Sequence, residues 1–103
     1  MNANARLAVV EDRAEFRGLL VKALNTRPGW RVVSECSTAR EALATIPPSR
    51  TDLVLLDVLL PDASGVDLIP QLKARLPGVP IVMLTVVDSP DEIVRALEAG
   101  ACG

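Results

Sequence analysis

Three carboxylates stand directly after apolar runs that read as strands. Glu11 and Asp12 follow Leu7-Ala8-Val9-Val10, and Asp57 follows Leu53-Val54-Leu55-Leu56. A buried parallel strand is an unbroken apolar run, and ligands of open α/β sheets gather outside the strands' carboxyl ends. Acids in those places therefore mark a site, because packing gives no reason for them. Within a few ångströms of one another, three carboxylates repel by about 1 to 4 kcal/mol per pair, for effective dielectrics of about 80 down to 20. Such a cluster wants a cation, and an all-oxygen donor set with room for water favours magnesium. The plainer readings are that Asp12 caps a helix with Glu11 in solvent, and that Asp57 is a turn or cap aspartate ahead of Pro61.

The elements needed to position these acids are legible as repeated strand-then-helix units. The strand candidates are Leu7 to Val10, Arg31 to Glu35, Leu53 to Leu56 and Ile81 to Leu84. Each is followed by a helix-start signal: Asp12-Arg13-Ala14-Glu15, Thr38-Ala39-Arg40-Glu41, Ser64-Gly65-Val66-Asp67 and Ser89-Pro90-Asp91-Glu92. All four place a side-chain acceptor at the cap and an acid three residues later, as a capping box does. In the first helix Phe16, Leu19, Leu20, Ala23 and Leu24 share a face, and Pro28-Gly29 stops it. In the fourth, Ile93, Val94, Leu97 and Ala101 do the same, with Gly100 as the C-terminal cap. Pro70 should kink the third, Ser64 to Leu76. The alternation predicts an α/β fold: a parallel sheet with right-handed crossovers and helices on both faces.

Composition excludes several classes. The 103 residues suffice for one modest domain, and with half of them apolar the chain can bury a core. No apolar run approaches the roughly 20 residues of a membrane helix, and the start, Met1-Asn2-Ala3-Asn4-Ala5-Arg6, has no signal-peptide pattern, so a cytoplasmic location is expected. A formal charge of −2 argues against direct nucleic-acid binding, since no basic stripe displaces phosphate counterions. Cys36 and Cys102 lack metal-site spacing and read as small buried hydrophobes.

Taken together, Glu11-Asp12, Asp57 in Leu55-Leu56-Asp57-Val58-Leu59-Leu60-Pro61, Ser64-Gly65, Thr85 in Val82-Met83-Leu84-Thr85, and Ala99-Gly100-Ala101 resemble the receiver domain of bacterial two-component response regulators. The resemblance covers essentially the whole chain. The stretch Ala96 to Ala101 further resembles the subfamily whose receivers precede a helix-turn-helix output domain. It implies a flavodoxin-like, doubly wound parallel sheet of order 2-1-3-4-5, with the acids at the switch point between the first and third strands. It also implies that Asp12, Asp57 and the backbone carbonyl of Leu59 bind Mg²⁺ directly, with Glu11 acting through water. Asp57 would then attack a phosphohistidine of a sensor histidine kinase in line, forming an aspartyl phosphate that controls an output, transcription being the expected one. Thr85 would be the switch hydroxyl that bonds the phosphoryl group and pulls the following loop with it. The competing reading makes Thr85 no more than a strand end. The chain would not be a turnover enzyme, and the apolar Leu59 and Val87 imply slow autodephosphorylation.

The pattern also departs from that family. The lysine that ends a receiver's fifth strand falls a few residues beyond Gly103, and Lys22 and Lys73 lie inside helical patterns remote from the acids. The expectation is therefore one receiver domain, residues 1–103, incomplete at its C-terminus, whose fourth strand is an open edge that favours self-association. Two enzyme classes fit poorly: a haloacid-dehalogenase-like phosphatase needs an aspartate where Leu59 stands, and a flavodoxin-type phosphate loop would not carry Glu11-Asp12-Arg13. The remaining alternative is a pseudo-receiver, a protein-contact module that needs no phosphorylation.

Overall fold

The computed structural model describes residues 4–84 and Val94. Its elements run β1 (Ala5–Val10), α1 (Ala14–Asn25), β2 (Trp30–Cys36), α2 (Ala39–Thr45), a 3₁₀ turn (Pro47–Ser49), β3 (Leu53–Asp57), α3 (Gly65–Arg75) and β4 (Ile81–Leu84). All strand pairs are parallel and the sheet order is β2-β1-β3-β4. The strands expected from the sequence are these, with β1 beginning two residues earlier, β2 longer by one residue at each end, and β3 carrying Asp57 as its last residue.

Period-two alternation sorts the central strands onto two cores. Ala8, Val10, Val54 and Leu56 face α2 and α3, meeting Ala42, Leu68 and Leu72. Leu7, Val9 and Leu55 face α1, meeting Leu20, Leu24 and Val94. β1 and β3 are thus buried on both faces, which is why their sequences are continuous apolar runs. Cys36 ends β2 in the first core, buried, its Sγ 3.1 Å from Thr45 Oγ1. Burial pushes its thiol pKa up, as a structural cysteine requires.

The helix starts agree with the sequence unevenly. Thr38 caps α2, accepting from the Glu41 N–H at 3.0 Å, and Ser64 caps α3, accepting from the Val66 N–H at 3.2 Å. At α1 the expected box does not form. The cap position is Arg13, in extended conformation and with no side-chain cap bond, so Asp12 does not cap the helix. The reason lies one residue earlier, where the Glu11 carboxylate accepts the Arg13 N–H at 3.0 Å and holds the chain extended for one residue more. Leu19 also departs from expectation: it is 54% exposed, because the inward face of α1 is centred on Leu20 and Leu24, one residue's rotation away. Pro70 sits inside α3 without ending it. The fourth helix-start signal, Thr85, Val87, the Gly100 cap and Cys102 lie outside the described residues, and of the fourth helical face only Val94 lies within them.

The β3–α3 connection is held at several points. Leu59 and Ser64 form an antiparallel bridge, and the Gly65 N–H donates to the Val58 carbonyl at 2.7 Å. Gly65 lies directly on the end of β3: a Cβ there would be driven into the Asp57 carbonyl oxygen and to within 2.9 Å of Val58 Cα. Asp62, at the loop's outer bend, reaches across to α2, where its two carboxylate oxygens accept the N–H groups of Ala39 and Arg40 at 2.8 and 3.0 Å. One loop therefore closes the end of β3 and caps a second helix.

Two glycine substitutions test this geometry. Gly65→Ala should destabilise the chain by about 1–3 kcal/mol through backbone overpacking. Gly18→Ala, in the exposed middle of α1 with nothing within 4 Å of the added carbon, should be neutral or stabilise by about 0.5–1 kcal/mol. Urea unfolding followed by far-UV circular dichroism reads both, and equal effects would contradict the packing described for Gly65.

Candidate functional site

The sheet order brings the predicted acids together. Val10 pairs with Leu56, so the residues after β1 and the last residue of β3 emerge side by side at the same sheet edge. One carboxylate oxygen from each of Glu11, Asp12 and Asp57 falls within a sphere of contacts no longer than 4.8 Å. Their environments differ sharply. Glu11 is fully buried, Asp57 is 9% exposed, and Asp12 is exposed.

Each acid is held differently. The Glu11 N–H donates to the Cys36 carbonyl at 2.9 Å, continuing the sheet by one residue. Its side chain turns to Arg13: Oε2 accepts the Arg13 N–H at 3.0 Å and Nε–H at 3.1 Å, and Oε1 accepts from Nη2 at 3.0 Å. The Arg13 guanidinium in turn lies 4.4 Å from the centre of the Phe16 ring, a cation–π distance. Arg17 Nη1 donates to the Glu11 carbonyl at 2.7 Å, while its Nε lies 3.8 Å from Glu35 Oε1. Asp57 Oδ1 accepts the Leu59 N–H at a long 3.3 Å. The Leu59 side chain is 78% exposed, as its backbone pairs with Ser64.

Electrostatics separates the two buried acids. Burial raises the pKa of Glu11, but hydrogen bonds from the Arg13 side chain and N–H, with the guanidinium charge, outweigh it and hold the group below its ordinary value. Asp57 goes the other way. Burial raises its pKa, the Leu59 N–H opposes this, and the neighbouring Glu11, by its charge and by a side-chain hydrogen bond, raises it again. The two buried acids are thus shifted in opposite directions, Glu11 toward the charged form and Asp57 toward the protonated one. A third charge, on Asp12, adds to a cluster of hard oxygen donors. The donor set fits a small divalent cation, which the pocket's excess of negative charge would favour.

Arg13 is the residue that sequence reasoning missed. It stood there only as a position inside a supposed capping box; the signal that finds it is Glu11, Arg13 and Phe16 spaced so that acid, cation and ring stack locally. No lysine joins the site among the described residues. Lys22 and Lys73 lie in the last turns of α1 and α3, which return from the site to the opposite sheet edge. Among the described residues, no helix is long and apolar enough to cross a membrane.

The chain as a whole is similar to known proteins. A family model described as the response regulator receiver domain matches residues 7–103. The DNA-binding transcriptional activator DevR/DosR of Mycobacterium tuberculosis is 36% identical over 98 residues, covering 95% of this chain and 45% of that protein. The transcriptional regulatory protein UhpA of Escherichia coli is 36% identical over 97 residues, covering 94% of this chain and 48% of that protein. The chain thus spans about half the length of these curated relatives. Among solved structures, a two-component response regulator of the LuxR family from an Aurantimonas species superposes with a TM-score of 0.77 at 27% identity, covering 96% of this chain and 71% of that one. Since the match runs from β1 to Gly103 and relatives exceed a third identity across nearly all of it, the chain belongs to the response regulator receiver domain family.

Proposed function

We propose that this chain is the phospho-accepting switch of a two-component signalling protein. Asp57 is the acceptor, and a phosphohistidine on a sensor kinase is the donor. The observation that carries the proposal is the position of Asp57: last residue of β3, nearly buried, raised in pKa, and within 4.8 Å of two further carboxylates. A carboxylate so placed is costly unless it is used.

In the reaction proposed, one Asp57 carboxylate oxygen attacks phosphorus. The phosphorus–nitrogen bond to the donor imidazole breaks with its electron pair returning to nitrogen, and an acyl phosphate remains on Asp57. Asp12, Asp57 and the Leu59 carbonyl would hold Mg²⁺, with Glu11 acting through water. The bound cation supplies charge neutralisation for the incoming phosphoryl oxygens. The bridge between Leu59 and Ser64 and the seating of Gly65 hold the acceptor's backbone still while its side chain reacts. Thr85 follows Leu84, the register partner of Asp57, and is proposed as the hydroxyl that reads the phosphoryl group. Leu59 offers no polar group to position a hydrolytic water, so the phosphorylated state should decay slowly. The relatives named as transcriptional regulators support transcription as the output of the whole protein, in the cytoplasm, with the DNA contacts made outside this acidic chain.

With Mg²⁺ and a small acyl phosphate donor, Asp57→Asn should abolish incorporation of acid- and base-labile phosphate; undiminished labelling of that variant refutes the acceptor assignment. Labelling that needs neither Mg²⁺ nor Asp57 would favour a protein-contact module instead.

For the metal, Asp12→Ala should weaken Mg²⁺ binding about tenfold or more, since even supporting residues of metal sites cost that much. Asp67→Ala, exposed in the first turn of α3, should not. Titration calorimetry that finds the two variants alike removes Asp12 from the ligand set.

The burial of Asp57 beside Glu11 also makes a stability prediction. A carboxylate whose folded pKa is raised favours folding while protonated, and that contribution is lost as pH rises through the folded value. At neutral pH without divalent cations Asp57 is therefore a liability, and Asp57→Asn should raise the melting temperature. The gain should shrink as pH falls through the carboxylate range, where the wild-type group is protonated. A variant that melts lower than wild type at pH 7 would show that Asp57 is stabilised by its surroundings.

A further inference from the structure

The carboxyl edge of the sheet carries its own cation. Arg13 places Nε and Nη2 on the two oxygens of Glu11 at 3.1 and 3.0 Å, in the two-pronged geometry that guanidinium and carboxylate share. Glu11 is fully buried, so these donors have replaced the water its carboxylate lost. The arginine side chain is half exposed and keeps its guanidinium 4.4 Å from the centre of the Phe16 ring. A planar cation resting on a ring can slide off a carboxylate without leaving the neighbourhood. Glu11 has a second anchor: Arg17 Nη1 holds its backbone carbonyl at 2.7 Å whatever Arg13 does.

We infer that Arg13 is a tethered counter-ion that competes with a divalent cation for the pocket of Glu11, Asp12 and Asp57, and so sets how tightly that cation is held and how readily it leaves. The inference rests on the reading of the pocket as a cation site. Arg13 donors already fill both acceptor sites of Oε2 and one of Oε1, so a cation-bound water that needs Glu11 is confined to the remaining site or displaces a guanidinium donor. The guanidinium also offsets one of the three negative charges and, being positive itself, repels a second cation at short range. Without it, the carboxylates would have lost a local counter-charge and would draw a cation more strongly.

The opposite role predicts the opposite sign. If Arg13 merely orients Glu11 for a bound cation, its removal loosens a ligand and weakens binding. Titration calorimetry with Mg²⁺ and with Mn²⁺ on the 103-residue chain separates the two. Arg13→Ala and Arg13→Gln should each bind about threefold to tenfold tighter than wild type. Arg13→Lys, which restores the charge, should return toward wild type, and Phe16→Leu, which removes the ring beneath the guanidinium, should fall between. Without divalent cations Arg13→Ala should melt below wild type, and saturating Mg²⁺ should close most of that gap. Unchanged or weaker binding by folded Arg13→Ala and Arg13→Gln, in a wild-type chain that does bind Mg²⁺, overturns the inference and leaves the pocket standing. A wild-type chain that binds neither ion, and is indistinguishable from Asp12→Ala, overturns the pocket and the inference together.

Discussion

The parallel pairing of β1 with β3 is the constraint from which the site follows. With Val10 opposite Leu56, the chain has no way to leave the two central strands except at the same edge, and it does so through Glu11-Asp12 and Asp57. The same pairing buries both strands on both faces, so the apolar cost of moving them is high. The acids are thus attached to two buried, paired strands. Their repulsion cannot relax by backbone movement and has to be met by protons, by a neighbouring cation, or by a bound ion.

The protein meets it unequally. Glu11 has the Arg13 guanidinium and a lowered pKa, Asp12 is exposed, and Asp57 has a long bond from the Leu59 N–H, a hydrogen bond shared with Glu11 and a raised pKa. The buried carboxylate with the raised pKa is the one proposed to react. This follows the general trade of stability for activity, in which a group left under-compensated in the resting state has most to gain from the ligand that completes its surroundings. The strongly compensated acid, Glu11, is correspondingly the one proposed to act at one remove.

The loop after β3 links that chemistry to the rest of the fold. Gly65 seats it against the Asp57 backbone, Ser64 starts α3, and Asp62 caps α2 from across the sheet edge. Three structural tasks are packed into residues 58–65, so a displacement of the loop would be felt at two helix N-termini. Its outward side chain, Leu59, stays exposed, while Leu60 and Ala63 pack against the core and backbone groups and short polar side chains hold the rest of the segment.

Much of this was legible in the sequence because it is local or periodic. Continuous apolar runs identified β1 and β3, alternating strand and helix patterns gave the parallel α/β class, and Thr38 and Ser64 announced their helices through bonds that span two or three residues. The acids could be nominated because a strand's end is visible from the strand. Local pattern misled where a competing partner existed: Asp12 looks like a cap until the Glu11 carboxylate claims the Arg13 N–H, and Leu19 looks inward until the sheet selects Leu20 and Leu24. The bond from Asp62 to α2, the seating of Gly65 on β3, and the opposite pKa directions of Glu11 and Asp57 had no sequence signature. They depend on distances between segments brought together only when the β1–β3 pairing closes the sheet, and distance and burial are what set both steric fit and charge.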